Sequence, residues 1–274
     1  MKLAEIVVEN VRSFKKLLKI DFTDHYTGLP NDRLVIVGTN ASGKTTLLEI
    51  TISLLKAFYH EQDSLYKELS SAGVATKVVF LDQNDNRLAL ELKDGRLSLE
   101  GKSELLPFYL YFPAERYFSE PAQSEPIKIN PWGYEYKNGE EYFTNYLDNS
   151  FSELATRFFS GRILAKTDDQ YTLSASANDP TPIPLKRLPS GEKQALILLT
   201  IIAKHLKRRS LVMIDEFELS LHPTAQRKLY YLLSAYLKER DSQLIVATHS
   251  LEIVRASLET EVFSLDEILG GLKT

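Results

Sequence analysis

The feature that most constrains the fold is an octapeptide at residues 38–45. It reads Gly38-Thr39-Asn40-Ala41-Ser42-Gly43-Lys44-Thr45 and fits the pattern G-x-x-x-x-G-K-[ST]. The four apolar residues before it, 34–37, are typical of a strand buried on both faces of a parallel sheet. After it, apolar residues recur at three- and four-residue steps, which predicts a helix. The sequence therefore predicts a strand, a glycine-rich loop and a helix in succession.

This loop carries the groups that a polyphosphate needs. Glycines let successive backbone N–H groups point at phosphate oxygens, and the helix amino terminus adds its dipole. Lys44 would neutralise the β- and γ-phosphates, and the Thr45 hydroxyl would be a ligand for Mg²⁺. The alternative is a plain glycine turn beside a surface lysine.

A second buried strand is predicted at residues 211–214, and it ends in two adjacent carboxylates, Asp215 and Glu216. Open α/β sheets bind ligands at the carboxyl ends of their strands. Asp215 would hold Mg²⁺, and Glu216 would polarise the attacking water as general base. The alternative is a strand that runs into a solvated acidic turn.

Two further segments suit a phosphate site. Ser190 and Gly191 stand at the start of a strongly apolar helix predicted over 192–206, where a hydroxyl and a helix amino terminus form a second phosphate cradle. His249 closes a third buried strand, predicted at 244–247. Taken alone, this histidine would be an ordinary strand-end residue.

The rest of the chain sets the fold class. The first residues predict a hairpin, residues 76–100 an antiparallel meander, and the second half alternates helices and strands. We therefore expect an α/β protein with a mostly parallel sheet flanked by helices, an antiparallel β subdomain and an irregular helical and aromatic lobe. It would form a single domain over 1–274, comprising a phosphate-binding half (1–110), a lid or insert lobe (111–187) and a carboxyl-terminal half (188–274).

Composition excludes several classes of protein. The chain has no cysteine, which removes disulfides, thiolate metal sites and a cysteine nucleophile. Its net charge of −4 lacks the basic excess of a stand-alone nucleic-acid binder. Because the sequence has neither a signal-type amino terminus nor about 20 successive apolar residues, we expect a cytoplasmic protein without a membrane partner.

The four motifs, in this order, resemble those of the ABC-type ATPases: Walker A, signature, Walker B and H-loop. The opening Asn10-Val11-Arg12-Ser13-Phe14 and the segment Ser220-Leu221-His222-Pro223 are most similar to the SMC/RecF and OLD-like branch. This branch includes ATP-binding proteins of the AAA_21 type from bacterial defence systems.

That resemblance implies a homodimer that sandwiches ATP and Mg²⁺. Ser190 and Gly191 of one subunit would face the γ-phosphate held by the other, residues 221–223 would form the D-loop, and Arg12 or Phe14 would lie near the nucleotide. The implied catalytic residues are Lys44, Glu216 and His249. The implied metal ligands are Thr45 and Asp215. The implied nucleotide-binding residues are Arg12, Gly38, Asn40, Ala41, Ser42, Gly43, Lys44, Thr45, Thr46, Ser190 and Gly191.

The sequence departs from the family pattern at two places. Pro189 occupies the position where the family signature has serine, so Ser190 must supply the hydroxyl. For the Q-loop, Gln83 falls in a predicted hairpin, and Glu115-Arg116 is better placed. Glu218 is interpreted as only a surface or loop carboxylate.

The function most favoured is that of an ATP-hydrolysing switch, with anti-phage defence as the expected setting. The switch would control a separate effector, such as a nuclease, or a DNA-linked complex. The alternatives are a non-hydrolysing, ATP-bound scaffold for a toxic effector, and an ABC transporter subunit. The Tyr-rich segment 117–146 would be either a docking surface or a small core of its own. The cluster Lys204, Lys207, Arg208 and Arg209 would bind DNA or merely complement a helix end.

Overall fold

A computed structural model of the chain describes residues 1–84, 86–114, 130, 132–135, 149–167, 170–176, 178–218 and 220–271. The predicted aromatic lobe lies outside these residues, apart from positions 130 and 132–135. Glu115 and Arg116 also lie outside them.

The described residues form strands and helices that follow the predicted order. The strands are β1 (Lys2–Glu9), β2 (Leu18–Asp21), β3 (Arg33–Val37), β4 (Ala75–Leu81), β5 (Arg87–Lys93), β6 (Arg96–Glu100), β7 (Tyr109–Phe112), β8 (Gly133–Glu135), β9 (Leu164–Thr167), β10 (Gln170–Ser174), β11 (Pro182–Pro184), β12 (Leu211–Ile214), β13 (Gln243–Thr248) and β14 (Val262–Ser264). The helices are α1 (Lys44–Phe58), α2 (Ser64–Leu69), α3 (Asn149–Phe158), α4 (Ser190–His205), α5 (Pro223–Lys238), α6 (Leu251–Ala256) and α7 (Leu265–Gly271).

A six-stranded parallel sheet organises the molecule, with strand order β14-β3-β13-β12-β7-β8. Strands β12 and β13 are buried along their whole length, as their apolar sequences predict. Because the strands are parallel, the carboxyl ends of β3, β12 and β13 meet at one edge of the sheet. The α/β class predicted from the sequence is confirmed.

A five-stranded sheet contains the predicted hairpin and meander, in the order β2-β1-β4-β5-β6. All of its pairings are antiparallel. Asp94 and Gly95 connect β5 to β6 with φ angles of +48° and +72°. Two left-handed residues are what a tight hairpin turn of this kind needs. A three-stranded antiparallel sheet, β11-β10-β9, adds the second predicted hairpin.

Helix α1 lies between the parallel and the antiparallel sheets and contacts β4, β5 and β13. Alternate residues of β3 point to opposite faces of the parallel sheet. Leu34 and Ile36 pack into the core that contains α1, whereas Val35 packs into a second core formed with α4 and α5. The helix that starts at the glycine-rich loop is therefore held firmly on both sides.

Three differences from the sequence predictions are local. Helix α4 begins at Ser190, two residues before the predicted start. Strands β8, β11 and β14 have three residues each, too few for a periodic pattern. Trp132, from the predicted aromatic lobe, stacks on Tyr59 at 4.8 Å between ring centroids.

In the part of the chain that the structure describes, no helix combines the length and apolar character that crossing a bilayer requires.

Candidate functional site

The glycine-rich loop joins β3 to α1 through two left-handed residues. Ala41 has a φ of +63°, and Gly43, directly before α1, has a φ of +105°. A Cβ atom at Gly43 would overlap the Phe14 ring, whose Cε2 atom lies 2.9 Å from that position. Both the backbone conformation and the close approach of Phe14 therefore require glycine here.

Lys44 is buried at the start of α1. Its Nζ donates hydrogen bonds to the carbonyl oxygens of Gly38 at 2.9 Å and Thr39 at 3.1 Å. Burial lowers the pKa of Lys44, and the charge of Asp215 acts in the opposite direction. The ammonium group thus lies inside the curve of the loop, where the sequence predicts phosphate.

Asp215 follows β12 directly and is 1% exposed. Its Oδ2 accepts a hydrogen bond from the Thr45 hydroxyl at 2.6 Å, and its Oδ1 accepts one from the backbone N–H of Glu216 at 3.1 Å. The two predicted metal ligands, 170 residues apart in the chain, are therefore in direct contact.

Glu216 adopts a backbone conformation that is uncommon for a residue with a side chain. Its φ is +45°, and such a conformation costs about 1–3 kcal/mol unless the surroundings impose it. Its half-buried side chain stands next to Asp215 at the edge of the sheet. The strain occurs at the residue that the sequence predicts to be the general base.

Glu218 has a role that sequence analysis missed. It lies in a loop, as expected, but it is not only a surface carboxylate. Its Oε2 accepts a hydrogen bond from the Thr248 hydroxyl at 2.5 Å, and its Oε1 accepts one from the backbone N–H of His249 at 2.6 Å. The structure thereby joins the end of β13 to the loop after β12, and it places the exposed side chain of His249 at the same edge as Asp215.

The outer part of the glycine-rich loop is anchored by Asp266 of α7. The Asp266 carboxylate accepts hydrogen bonds from the backbone N–H of Thr39 at 2.7 Å and from its hydroxyl at 2.8 Å. Asn40 is exposed, whereas Thr46 is buried. Sequence analysis also missed Asp266, which belongs to no motif.

The Ser42 hydroxyl has an unusual environment within this loop. It is buried, and it has no hydrogen-bond partner among the described residues. Buried polar groups are nearly always hydrogen-bonded. An acceptor such as a phosphate oxygen would satisfy this hydroxyl.

The predicted signature lies in a different part of the site. Ser190 and Gly191 line a pocket of about 480 Å³ together with Leu221 and His222 of the predicted D-loop. A Cβ atom at Gly191 would overlap the carbonyl oxygen of Ser220. The residues that line this pocket include none from the glycine-rich loop.

Arg12 and Gln83 have other partners. The Arg12 guanidinium donates hydrogen bonds to Glu49 at 2.5 Å and Glu68 at 3.3 Å. Of the two residues expected near the nucleotide, Phe14 is the one that contacts the loop. Gln83 lines a separate pocket beside Met1.

The basic cluster at the end of α4 is partly engaged in local contacts. Lys207 lies over the Phe108 ring, 4.2 Å from its centroid, and Arg209 pairs with Asp241 at 3.3 Å. These contacts favour a structural role for the two residues. The predicted DNA role of the cluster has no structural support from them.

Comparison with protein families gives one match. The AAA_21 model, described as "AAA domain, putative AbiEii toxin, Type IV TA system", matches residues 54–255, more than half of the chain. The match begins after the glycine-rich loop, so the two observations are independent. No curated protein matches the chain.

Solved structures with a similar fold include heads of SMC proteins. The SMC head domain from Thermotoga maritima has a TM-score of 0.59 and 17% identity, covering 96% of this chain and 94% of that one. An SMC head bound to the C-terminal winged-helix domain of ScpA has a TM-score of 0.59 and 16% identity, covering 96% of both chains. A Pyrococcus furiosus SMC head, bound to the C-terminal domain of ScpA, has a TM-score of 0.57 and 14% identity, covering 99% of this chain and 98% of that one. At these identities the likeness shows the fold.

Proposed function

We propose that this chain, a member of the AAA_21 family with the fold of SMC heads, is a P-loop ATPase of the ABC type, of the SMC/RecF-like branch. It would bind and hydrolyse ATP as a molecular switch. The observation that carries the proposal is the 2.6 Å hydrogen bond between Thr45 and Asp215. This bond joins the glycine-rich loop to the residue after β12, and an ATP–Mg²⁺ site requires both segments.

ATP would bind in the glycine-rich loop. The Lys44 ammonium lies inside the loop, and the buried Ser42 hydroxyl is available to donate a hydrogen bond. On binding, Lys44 would exchange its two carbonyl partners for phosphate oxygens. The helix dipole of α1 adds to the attraction for the anion.

Mg²⁺ fits the donors that face this loop. A hydroxyl and a carboxylate are oxygen ligands, which Mg²⁺ prefers, and Thr45 and Asp215 supply them in contact with each other. Among the described residues, no group of three or more histidine or carboxylate side chains could hold a metal on its own. The ion would therefore bind together with the phosphates, whose charge it would neutralise.

Hydrolysis would use the residues at the sheet edge. Glu216 would accept the proton of the attacking water, and its position is fixed by the backbone hydrogen bond to Asp215. His249 would contact the γ-phosphate from the end of β13. Lys44 would stabilise the charge that develops on the transferred phosphoryl group.

The functional unit would be a homodimer that sandwiches ATP. Ser190 and Gly191 line a pocket that contains no residue of their own glycine-rich loop. A second copy would bring its loop, with nucleotide, to this pocket. Ser190 would then supply the hydroxyl that Pro189 cannot.

The dimer would act on a separate effector, such as a nuclease, or on a DNA-linked complex in anti-phage defence. The description of the matching family names a toxin of a toxin–antitoxin system. Two of the similar SMC heads are bound to a ScpA domain. Both findings suit an ATPase head that works through another protein.

The test compares wild type with Glu216→Gln in steady-state phosphate release and in size-exclusion chromatography with light scattering. We expect turnover to fall to background and the ATP-bound dimer to accumulate, because the variant binds ATP but has no general base. Glu259→Gln, which changes an exposed carboxylate, is the matched control.

Two outcomes would contradict parts of this proposal. Nucleotide binding by the wild type with no phosphate release would favour the ATP-bound scaffold. A Glu216→Gln protein that stays monomeric with saturating ATP and Mg²⁺ would contradict the sandwich dimer.

A further inference from the structure

The carboxylate of Glu218 ties two catalytic loops together. Its two oxygens accept hydrogen bonds from different groups of one segment, the Thr248 hydroxyl at 2.5 Å and the His249 backbone N–H at 2.6 Å. Glu218 itself stands two residues after Glu216. One side chain thus spans the loop after β12 and the loop after β13.

The backbone around Glu218 is fixed as well. Its carbonyl oxygen accepts a hydrogen bond from the backbone N–H of Leu221 at 3.0 Å. Gln226 donates to the Leu221 carbonyl oxygen at 2.8 Å and accepts from the Ser250 hydroxyl at 2.5 Å. Phe217 donates its backbone N–H to the carbonyl oxygen of Ala247 at 3.3 Å. The two loops are therefore joined on both sides of the carboxylate.

We propose that Glu218 is a positioning residue for ATP hydrolysis, which fixes His249 relative to Glu216. The inference rests on the proposed function, since it assigns Glu218 to the same site. The two residues that would act on the γ-phosphate stand just after the ends of two adjacent strands, β12 and β13. The Glu218 bridge sets the separation of their loops. Small errors in such positions cost rate, because reacting groups must be aligned.

The bridge needs a side chain at position 218 with two hydrogen-bond acceptors, or with one acceptor for the His249 N–H and one donor for the Thr248 hydroxyl. The amide oxygen of a glutamine could accept the hydrogen bond from the His249 N–H. Its amide nitrogen could donate to the Thr248 hydroxyl, which would then change from hydrogen-bond donor to acceptor. An alanine could do neither, and it would leave a backbone N–H and a hydroxyl without their partner. Glu218→Gln should therefore preserve the bridge, and Glu218→Ala should remove it.

The bridge serves the γ-phosphate and its hydrolysis rather than the affinity for the rest of the nucleotide. No described contact links the Glu218 side chain to the glycine-rich loop, and its negative charge acts to raise the pKa of Lys44, as that of Asp215 does. Such a charge repels phosphate. Removing it cannot weaken nucleotide binding through lost attraction, so a lower kcat with an unchanged ADP affinity would mark a positioning role.

The experiment measures phosphate release by wild type, Glu218→Ala, Glu218→Gln and the exposed control Glu259→Ala. We expect Glu218→Ala to lower kcat by about 30-fold, with Glu218→Gln and the control within about threefold of wild type. Thr248→Val removes one of the two bonds of the bridge, together with the hydrogen bond that the Ser250 backbone N–H donates to the Thr248 hydroxyl at 2.9 Å. Its kcat should fall between those of Glu218→Gln and Glu218→Ala. It also serves if Glu218→Ala does not fold.

A second measurement does not depend on turnover. In the Glu216→Gln background, calorimetry gives the dissociation constants of ATP and ADP with Mg²⁺. We expect Glu218→Ala to leave the ADP constant unchanged and to reduce the preference for ATP over ADP about fivefold, because His249 would no longer meet the γ-phosphate.

The outcomes separate the inference from the proposed function. If wild type binds nucleotide without hydrolysing it, the proposed function fails, and the ATP/ADP preference still decides the role of Glu218. Unchanged kcat and preference in Glu218→Ala overturn the inference. Equal damage from Gln and Ala overturns it too, as does an equal loss of ATP and ADP binding. Absence of nucleotide binding by wild type overturns both.

Discussion

Gly191, the second residue of α4, packs against the backbone of the predicted D-loop. A Cβ atom at this position would overlap the carbonyl oxygen of Ser220 and lie 2.9 Å from its carbonyl carbon. Ser220 has a φ of +59°, so its backbone already adopts a restricted conformation. We expect Gly191→Ala to force the D-loop away from α4 and to destabilise the protein.

The magnitude follows from two opposing effects. Replacing a helical glycine by alanine favours folding by about 0.5–1 kcal/mol, whereas overpacking costs about 1–3 kcal/mol. Gly270→Ala is the matched control, because Gly270 lies in α7 and a Cβ there would meet nothing within 4 Å. The difference in unfolding free energy between the two variants isolates the steric overlap.

Urea denaturation measures that difference. With a slope of about 3 kcal/mol per molar urea, Gly191→Ala should unfold about 0.3–1 M earlier than Gly270→Ala. If Gly191→Ala were as stable as Gly270→Ala, the close contact between α4 and the D-loop would be refuted.

Three further predictions concern other contacts. Asp266→Ala should weaken ATP binding by up to about thirtyfold in calorimetry, because Thr39 loses two hydrogen bonds of about 1 kcal/mol each. Unchanged affinity would show that α7 does not organise the loop. Arg12→Ala should weaken ATP binding by a similar factor if Arg12 contacts the nucleotide, and should only lower stability by up to about 1 kcal/mol if its ion pairs are its whole role. Burial acts to raise the pKa of Asp241, but the hydrogen bond and charge of Lys2, together with the charges of the amino terminus and Arg209, outweigh it and hold the pKa below the ordinary value of 3.8. The stability that the Lys2–Asp241 pair contributes is present above pH 3.8 and is lost as the pH falls through the folded pKa of Asp241. Asp241→Asn should therefore flatten the dependence of the unfolding free energy on pH in this acidic range. An unchanged dependence would contradict the stabilising role of the pair.

The elements that hold the predicted site could be read from the sequence because their signals are local. Residues 34–37, Lys44 and Asp215 each stand in a short run whose pattern fixes a strand, a loop or a helix start. Parallel pairing then brings the strand ends together, and the Thr45–Asp215 contact agrees with that expectation.

The contacts that support the site could not be predicted in the same way. Asp266 reaches Thr39 across 227 residues, and Glu218 reaches Thr248 across 30. No periodicity or motif marks either carboxylate, since their partners are a loop N–H, a backbone N–H and two hydroxyls, groups that occur throughout the chain. Only the packing of α7 and of the adjacent strands selects these partners.

The position of β3 in the parallel sheet has a consequence for biosynthesis. This strand pairs on one side with β13 and on the other with β14, both of which come much later in the chain. During translation, the first 60 residues can form α1 but find no neighbour for the strand that precedes it. The nascent chain therefore completes the sheet that carries the predicted nucleotide site only after Ser264 has left the ribosome. A polypeptide truncated before Val262 would expose one edge of β3, open to association with other chains.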